Sequence, residues 1–365
     1  MTGLTAEGNM RLYVGTYTRP APYLATTNGR GLYVYDLDPA TGRLTQLQEV
    51  GGIENPSYLC LSPDGRSLHA TWEVLDWPEG LVSSYAIDPS SGALRYLGVQ
   101  GTRGSVACYV MMDSRSRAAL VANYWSGSVA LFPARPDGSL AEASSVDQHV
   151  GTGADPVRQD GPHAHCSVLT ADDRFAFSAD LGTDTIVGYR VDLDAGTLTP
   201  HTSLALPPGS GPRHLAFAPD GRHAWVVCEL ASSIATLGYD AAAGTLSLIE
   251  TNPMLPDGFS GESHCADIGV HPTGRFVYGS NRGHDSITMF AADPATGRLR
   301  LLGHRPTEGR TPRNFAISPD GSLLLVANQD TDTVVVMPID PATGMLGATI
   351  AVNPVPTPVC LRWGR

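Results

Sequence analysis

The chain has 365 residues, with 24 Lys+Arg against 36 Asp+Glu and a formal net charge of −12. The acidic balance and the lack of a basic tract exclude a nucleic-acid partner, and no apolar run is long enough to cross a membrane as a helix. All 24 cations are arginine, which excludes Schiff-base lysine chemistry and a phosphate-loop lysine.

Residues 1–9 are polar and hold no apolar segment of signal-peptide length, so they are expected to form a disordered extension, with Met10 an alternative start. A cytoplasmic protein is expected. The cysteines (Cys60, Cys108, Cys166, Cys228, Cys265, Cys360) are scattered through apolar segments without a CxxC pair, which reads as buried free thiols. The first strand covers residues 12–18 (LYVGTYT), and an Asp-Pro-x-x-Gly turn ends at Gly42. A new unit opens at residues 55–61 (NPSYLCL), and LSPDGR at 61–66 follows it. Pro-Asp-Gly between two short apolar runs is hairpin chemistry: Pro presets φ and Gly takes the left-handed position.

Both signals recur along the chain. The first hairpin returns as DSRSR at 113–117, TADDR at 170–174, APDGR at 218–222, HPTGR at 271–275 and SPDGS at 318–322. The second turn has its glycine at 42, 92, 138, 196, 244, 297 and 344, at intervals of 50, 46, 58, 48, 53 and 47. A period near 50 means a repeat architecture rather than two globular domains. Each unit holds four β runs; in the fifth they are residues 213–217, 224–229, 233–239 and 245–250. Four strands per radial unit make an all-β, seven-bladed propeller over residues 10–365. The first unit lacks its first strand, and residues 357–363 (TPVCLRW) form a spare one, so the C-terminus is expected to close blade one as its innermost strand.

Both hairpin turns of each blade fall on one face, and the long connections fall on the other. Residues 148–161 and 251–263 are insertions between blades, and residues 72–80 form a long loop within blade two. Long loops on a rigid scaffold carry function. Eight residues before the first-hairpin Gly position is the start of the inner strand, facing the channel: Ser57, Cys108, His165, Arg213, Ala266 and Arg313, with Val359 for blade one. Eight residues after it is the end of the second strand: Glu73, Tyr124, Leu181, Glu229, Arg282 and Gln329, with Tyr17 for blade one. A structural repeat would fill these positions uniformly. Here they are heterogeneous and loaded with Arg, His and Glu, a collection that suits an anionic ligand.

The chemistry follows from the residue types. Arg213, Arg282 and Arg313 offer forked contacts to a carboxylate or phosphate. Glu229 and His165 form a proton-transfer pair, one activating water and the other serving the ring oxygen of an ester or lactone. Glu73, Tyr124, Gln329, Tyr17, His163 and His264 complete the set expected to contact substrate. A metal site of His163, His165, Cys166, His264 and Cys265 is set aside because alternating strand residues face opposite ways. No cofactor is called for, and no GxSxG elbow is present.

LYVGTYT, GPHAH at 161–165, GPRH at 211–214 with Glu229 beyond it, NRGHDS at 281–286 and the repeated SPDGR resemble the seven-bladed-propeller lactonase family. Its members include bacterial 6-phosphogluconolactonases, and its relatives include eukaryotic carboxy-muconate lactonising enzymes. The resemblance covers residues 10–365. It implies a site at His165, Arg213, Glu229 and Arg282, and a small anionic lactone as substrate, with no membrane partner and a monomer or weak homodimer. A muconate-type cycloisomerase and a non-catalytic binding scaffold are the alternative readings.

Overall fold

The structure, a computed structural model, describes residue 8, residues 10–24 and residues 27–364. Residues 1–7 and 9 of the expected extension lie outside the described residues. The rest is seven four-stranded antiparallel sheets arranged as blades. Blade one is ordered Pro358–Trp363, Met10–Thr16, Leu32–Leu37, Leu44–Val50 from the axis outward. The C-terminal strand is therefore innermost and pairs antiparallel with the first strand of the chain, Leu361 opposite Val14 and Cys360 opposite Gly15.

The repeated turns carry the geometry their residues demand. At the outer hairpins Gly42, Gly92 and Gly344 have φ of 71°, 69° and 73°, and the preceding Asp side chain caps the turn, as Asp293 does for the amides of Ala295 and Thr296. Blades three and four lack glycine at the inner hairpin. Ser116 and Asp173 occupy its left-handed position there, at φ 60° and 58°, a conformation that small polar residues tolerate.

Burial grades outward along each blade. The strand His223–Cys228 is buried throughout, whereas Leu44–Val50 at a rim is mostly exposed. The apolar core lies between adjacent blades, where the side chains of one sheet pack on the next. Val359, Cys360 and Leu361 of the closing strand are 0–2% exposed. Ending the chain before Thr357 should therefore uncover the apolar edge of blade one and abolish soluble folding. Expression and circular dichroism of the shortened chain test this, and a stable folded product would refute closure as the final seal.

Candidate active site

Seven equivalent backbone positions ring the mouth, and the ladder explains where their side chains point. The inner strands of blades three to seven, and the closing strand of blade one, shift register at the ring position: pairing skips Cys108, His165, Arg213, Ala266–Asp267, Arg313 and Val359. A bulge bends the strand and re-aims the extra residue. It turns two consecutive side chains inward, so that Arg213 Nη1 lies 3.3 Å from His214 Nε2. Strict strand alternation, which would keep a His/Cys metal cluster apart, therefore does not hold at this ring. Among the described residues no group of three His, Cys, Asp or Glu side chains is disposed to hold a metal ion. Two residues before the ring position, Asn55, Val106, Thr311 and Thr357 have φ of 45°, 57°, 57° and 38°. That conformation is costly for β-branched residues, and it sits at the rim of the cavity.

The mouth opens into a cavity of about 660 Å³. Its centre is Glu229, whose backbone amide bonds Gly211 O at 2.7 Å and whose side chain is 5% exposed. Three guanidiniums grip it: Arg213 Nε at 2.9 Å and Arg282 Nη2 at 2.7 Å on Oε2, and Arg158 Nη2 at 2.7 Å on Oε1. On the opposite side Glu73 accepts from Tyr17 Oη at 2.8 Å and Tyr23 Oη at 3.3 Å, and pairs with Arg313 at 3.3 Å. Arg313 also lies over the Tyr17 ring, 5.3 Å from its centroid. Four arginines thus face two buried carboxylates. Glu262 and Asp330 also line the mouth, so the surplus of guanidiniums is confined to its buried part, around Glu229 and Glu73, inside a protein of net charge −12.

The environments set the protonation states. Burial alone would raise the Glu229 carboxyl, but Arg282, Arg213 and Arg158 outweigh it and hold the group well below the usual carboxylate range. Burial, with Arg213 and His214 beside it, pushes His165 well below an ordinary imidazole. His165 is therefore neutral at pH 7. Its Nδ1 lies 3.8 Å from Cys108 Sγ, and its ring meets Tyr124 and His214 edge-on at 5.2 and 5.3 Å. Burial, then repulsion from Arg282 and Arg313, brings Arg213 down to about 10, still charged at neutral pH.

Buried neutral histidines make the fold acid-sensitive. His69 and His214 are held down to about 4, first by burial. Below pH 6.5 the unfolded chain binds protons at these imidazoles that the folded protein refuses. Stability is therefore full above pH 6.5 and falls as the pH drops toward 4, by on the order of 3 kcal/mol for each group. Urea titrations between pH 7.5 and 4 should show this slope, and a flat profile would contradict it.

The structure brings most of the anticipated residues together. His165, Glu229, Arg282, Arg313, Glu73, Tyr124, Gln329 and His264 line the cavity, and Arg213 lines a small separate void with Ser57 that shares Glu73, Cys108 and Arg313 with the cavity wall. His264 sits at the rim on Glu262, at 3.0 Å. Two expected contact residues are placed elsewhere. His163 stacks on Tyr124 with centroids 4.6 Å apart and bonds the Tyr124 carbonyl at 3.0 Å, behind the wall rather than in it. Tyr17 is fully buried and braces Glu73 from behind.

Arg158 and Tyr23 were missed by sequence reasoning. Arg158 is the lone cation of the insertion at 148–161, which was a legible signal. Its neighbour Gln159 pins that loop to Leu181 O and to Asp184, both at 2.8 Å. Tyr23 lies on a loop within blade one that carried no motif.

A closed seven-bladed propeller whose mouth gathers guanidiniums, a buried carboxylate and a neutral imidazole defines an enzyme of the lactonase class. The profile described as Lactonase, 7-bladed beta-propeller matches residues 11–363, and the chain belongs to that family. It is 35% identical over 351 residues to the 6-phosphogluconolactonase of Bacillus subtilis (strain 168), covering 96% of this chain and 97% of that protein. It is 33% identical over 312 residues to the 6-phosphogluconolactonase of Formosa agariphila, covering 84% and 86%. Among solved structures it is similar to the periplasmic gluconolactonase PpgL of Pseudomonas aeruginosa, with a TM-score of 0.90, 35% identity and coverage of 98% and 99%.

Proposed function

We propose that the protein hydrolyses the ring ester of an anionic sugar-acid lactone, 6-phosphogluconolactone or a related aldonolactone. The observation that carries this reading is the pairing of a neutral, buried His165 with a cluster of arginines in one cavity. His165 takes a proton from water as the water oxygen attacks the lactone carbonyl carbon. The arginines hold the developing oxyanion and the substrate's fixed negative group. When the bond from the carbonyl carbon to the ring oxygen breaks, His165 returns the proton to that oxygen, leaving a hydroxy acid. Glu229 keeps the guanidiniums together. The names of the Bacillus subtilis, Formosa agariphila and Pseudomonas aeruginosa proteins support the lactone class. A cytoplasmic setting is proposed with it, supported by the buried thiols of Cys108, Cys166, Cys228, Cys265 and Cys360, as is action as a monomer or weak homodimer on a small-molecule partner.

The test is a panel of δ- and γ-lactones, with and without a phosphate or carboxylate, followed by acid release. Anionic δ-lactones should be turned over fastest. Arg213→Ala should lower kcat/KM for an anionic lactone by about 10- to 100-fold, the loss of a charge-assisted contact worth about 1.5–3 kcal/mol. A neutral lactone should lose far less. Equal losses on both would place Arg213 on the oxyanion alone.

A further inference from the structure

Behind Arg213 runs a buried polar chain that the proposed reaction does not use. The Leu361 amide, on the closing strand, donates to Asn314 Oδ1 at 2.7 Å. Asn314 Nδ2 donates to Asp267 Oδ2. Asp267 Oδ1 lies 2.8 Å from His214 Nδ1, and His214 Nε2 lies 3.3 Å from Arg213 Nη1. The chain crosses blades one, seven, six and five, and Asn314, Asp267, His214 and Arg213 are 2%, 6%, 4% and 2% exposed. Tyr58 and Tyr109 meet the His214 ring edge-on at 5.5 and 5.4 Å, packing it from the apolar side.

The direction of every bond is forced. A backbone amide only donates, so Asn314 must turn its oxygen to Leu361 and its nitrogen to Asp267. A carboxylate only accepts, so His214 must carry its proton on Nδ1. A neutral ring then has a bare Nε2, which accepts from the guanidinium. Burial and the charge of Arg213 hold His214 down to about 4, which keeps the ring neutral. Arg213 Nη1 also donates to the Ala266 carbonyl, and on its front side the guanidinium pairs with Glu229, which it shares with Arg282 and Arg158. That contact is open to competition when an anion enters, whereas the rear chain is sealed.

We propose that His214, Asp267 and Asn314 are positioning residues that aim Arg213 into the cavity, through a one-way hydrogen-bond chain whose polarity is set by the closing strand. This rests on Arg213 being a substrate-contacting cation.

The decisive variant is Asp267→Asn. Its amide oxygen must take the Asn314 donor, so its nitrogen faces His214 Nδ1, the imidazole changes tautomer, and two donors meet at Arg213. A tautomer error of this kind disables a site without removing a residue from it, and kcat/KM for an anionic lactone should fall about 10- to 100-fold. The double variant Asp267→Asn/Asn314→Asp conserves charge and restores the sense of every bond. The residue at 314 then accepts from both sides, and the amide oxygen at 267 accepts from His214, so activity should recover at least tenfold over the single variant. Nitrogen-15 spectra of the histidines, independent of any lactone, should show the His214 proton on Nδ1 in the wild type and double variant and on Nε2 in the single variant. If Asp267→Asn does not fold, His214→Gln, which keeps an acceptor toward Arg213, should retain at least tenfold more activity than His214→Phe.

A folded Asp267→Asn protein with wild-type kcat/KM, or a swap that recovers nothing, overturns the proposal. Arg213→Ala run in parallel separates the two readings. If that variant also keeps full activity, the assignment of Arg213 itself is what fails.

Discussion

Replacing His165 with asparagine is expected to lower kcat by about 10²–10⁴-fold while leaving thermal stability nearly unchanged. Among the described residues His165 ends no ion pair, and its ring nitrogens make no contact stronger than the weak approach to Cys108, so little folding energy depends on it. Its depressed pKa keeps the imidazole unprotonated through the physiological range. The acid limb of the kcat/KM profile should therefore fall below pH 6.5, where an ordinary histidine would already have begun to lose its basicity. Stopped-flow or pH-stat measurement of acid release between pH 5 and 8 gives both quantities. A His165→Asn protein with wild-type turnover would move water activation to another group.

The second large effect is on stability. Glu229→Gln preserves the shape of the side chain but removes the one negative charge shared by Arg213, Arg282 and Arg158. Breaking a buried ion network by deleting one partner costs about 3–5 kcal/mol, because uncompensated charge stays behind. The melting temperature should fall markedly, and millimolar inorganic phosphate should restore part of the loss by occupying the arginines. Turnover at saturating substrate should fall by less than about tenfold. The opposite pattern, stability intact and kcat down by about 10²–10⁴, would make Glu229 the base. The sequence pairs Glu229 with His165 in proton transfer, whereas the proposed function gives that step to His165 for a physical reason. Oε1 already accepts from Arg158, and Oε2 lies within ion-pair distance of Arg213 and Arg282, so the carboxylate is occupied by guanidiniums rather than open to a water.

Much of the fold was legible because it is written in local turn chemistry. The Asp-x-x-x-Gly turns and the Pro-Asp-Gly hairpins need only the residues they contain. A first unit short of one strand and a spare strand at residues 357–363 imply their own closure. The ring positions followed from the same register, which is why His165, Glu229, Arg282, Arg313 and Glu73 could be named before any coordinates. Arg158 could not be placed in this way. Its partner lies 71 residues away, and it comes from an insertion outside the repeat.

Blade count, closure and the residue types gathered at the mouth were thus legible in the sequence, because each depends on short-range propensity repeated at a fixed period. Three-dimensional packing was needed to establish which histidine reaches the cavity, that Tyr17 supports rather than lines it, and that Glu229 is bound by three arginines. It was needed too for the bulges that turn Arg213 and His214 the same way. A bulge is a property of two paired strands, and an ion pair across the channel is a property of several blades at once. Neither leaves a periodic trace in one strand's sequence. Protonation follows the same division, since burial and facing charges, not residue identity, make His165 neutral and keep Glu229 ionised.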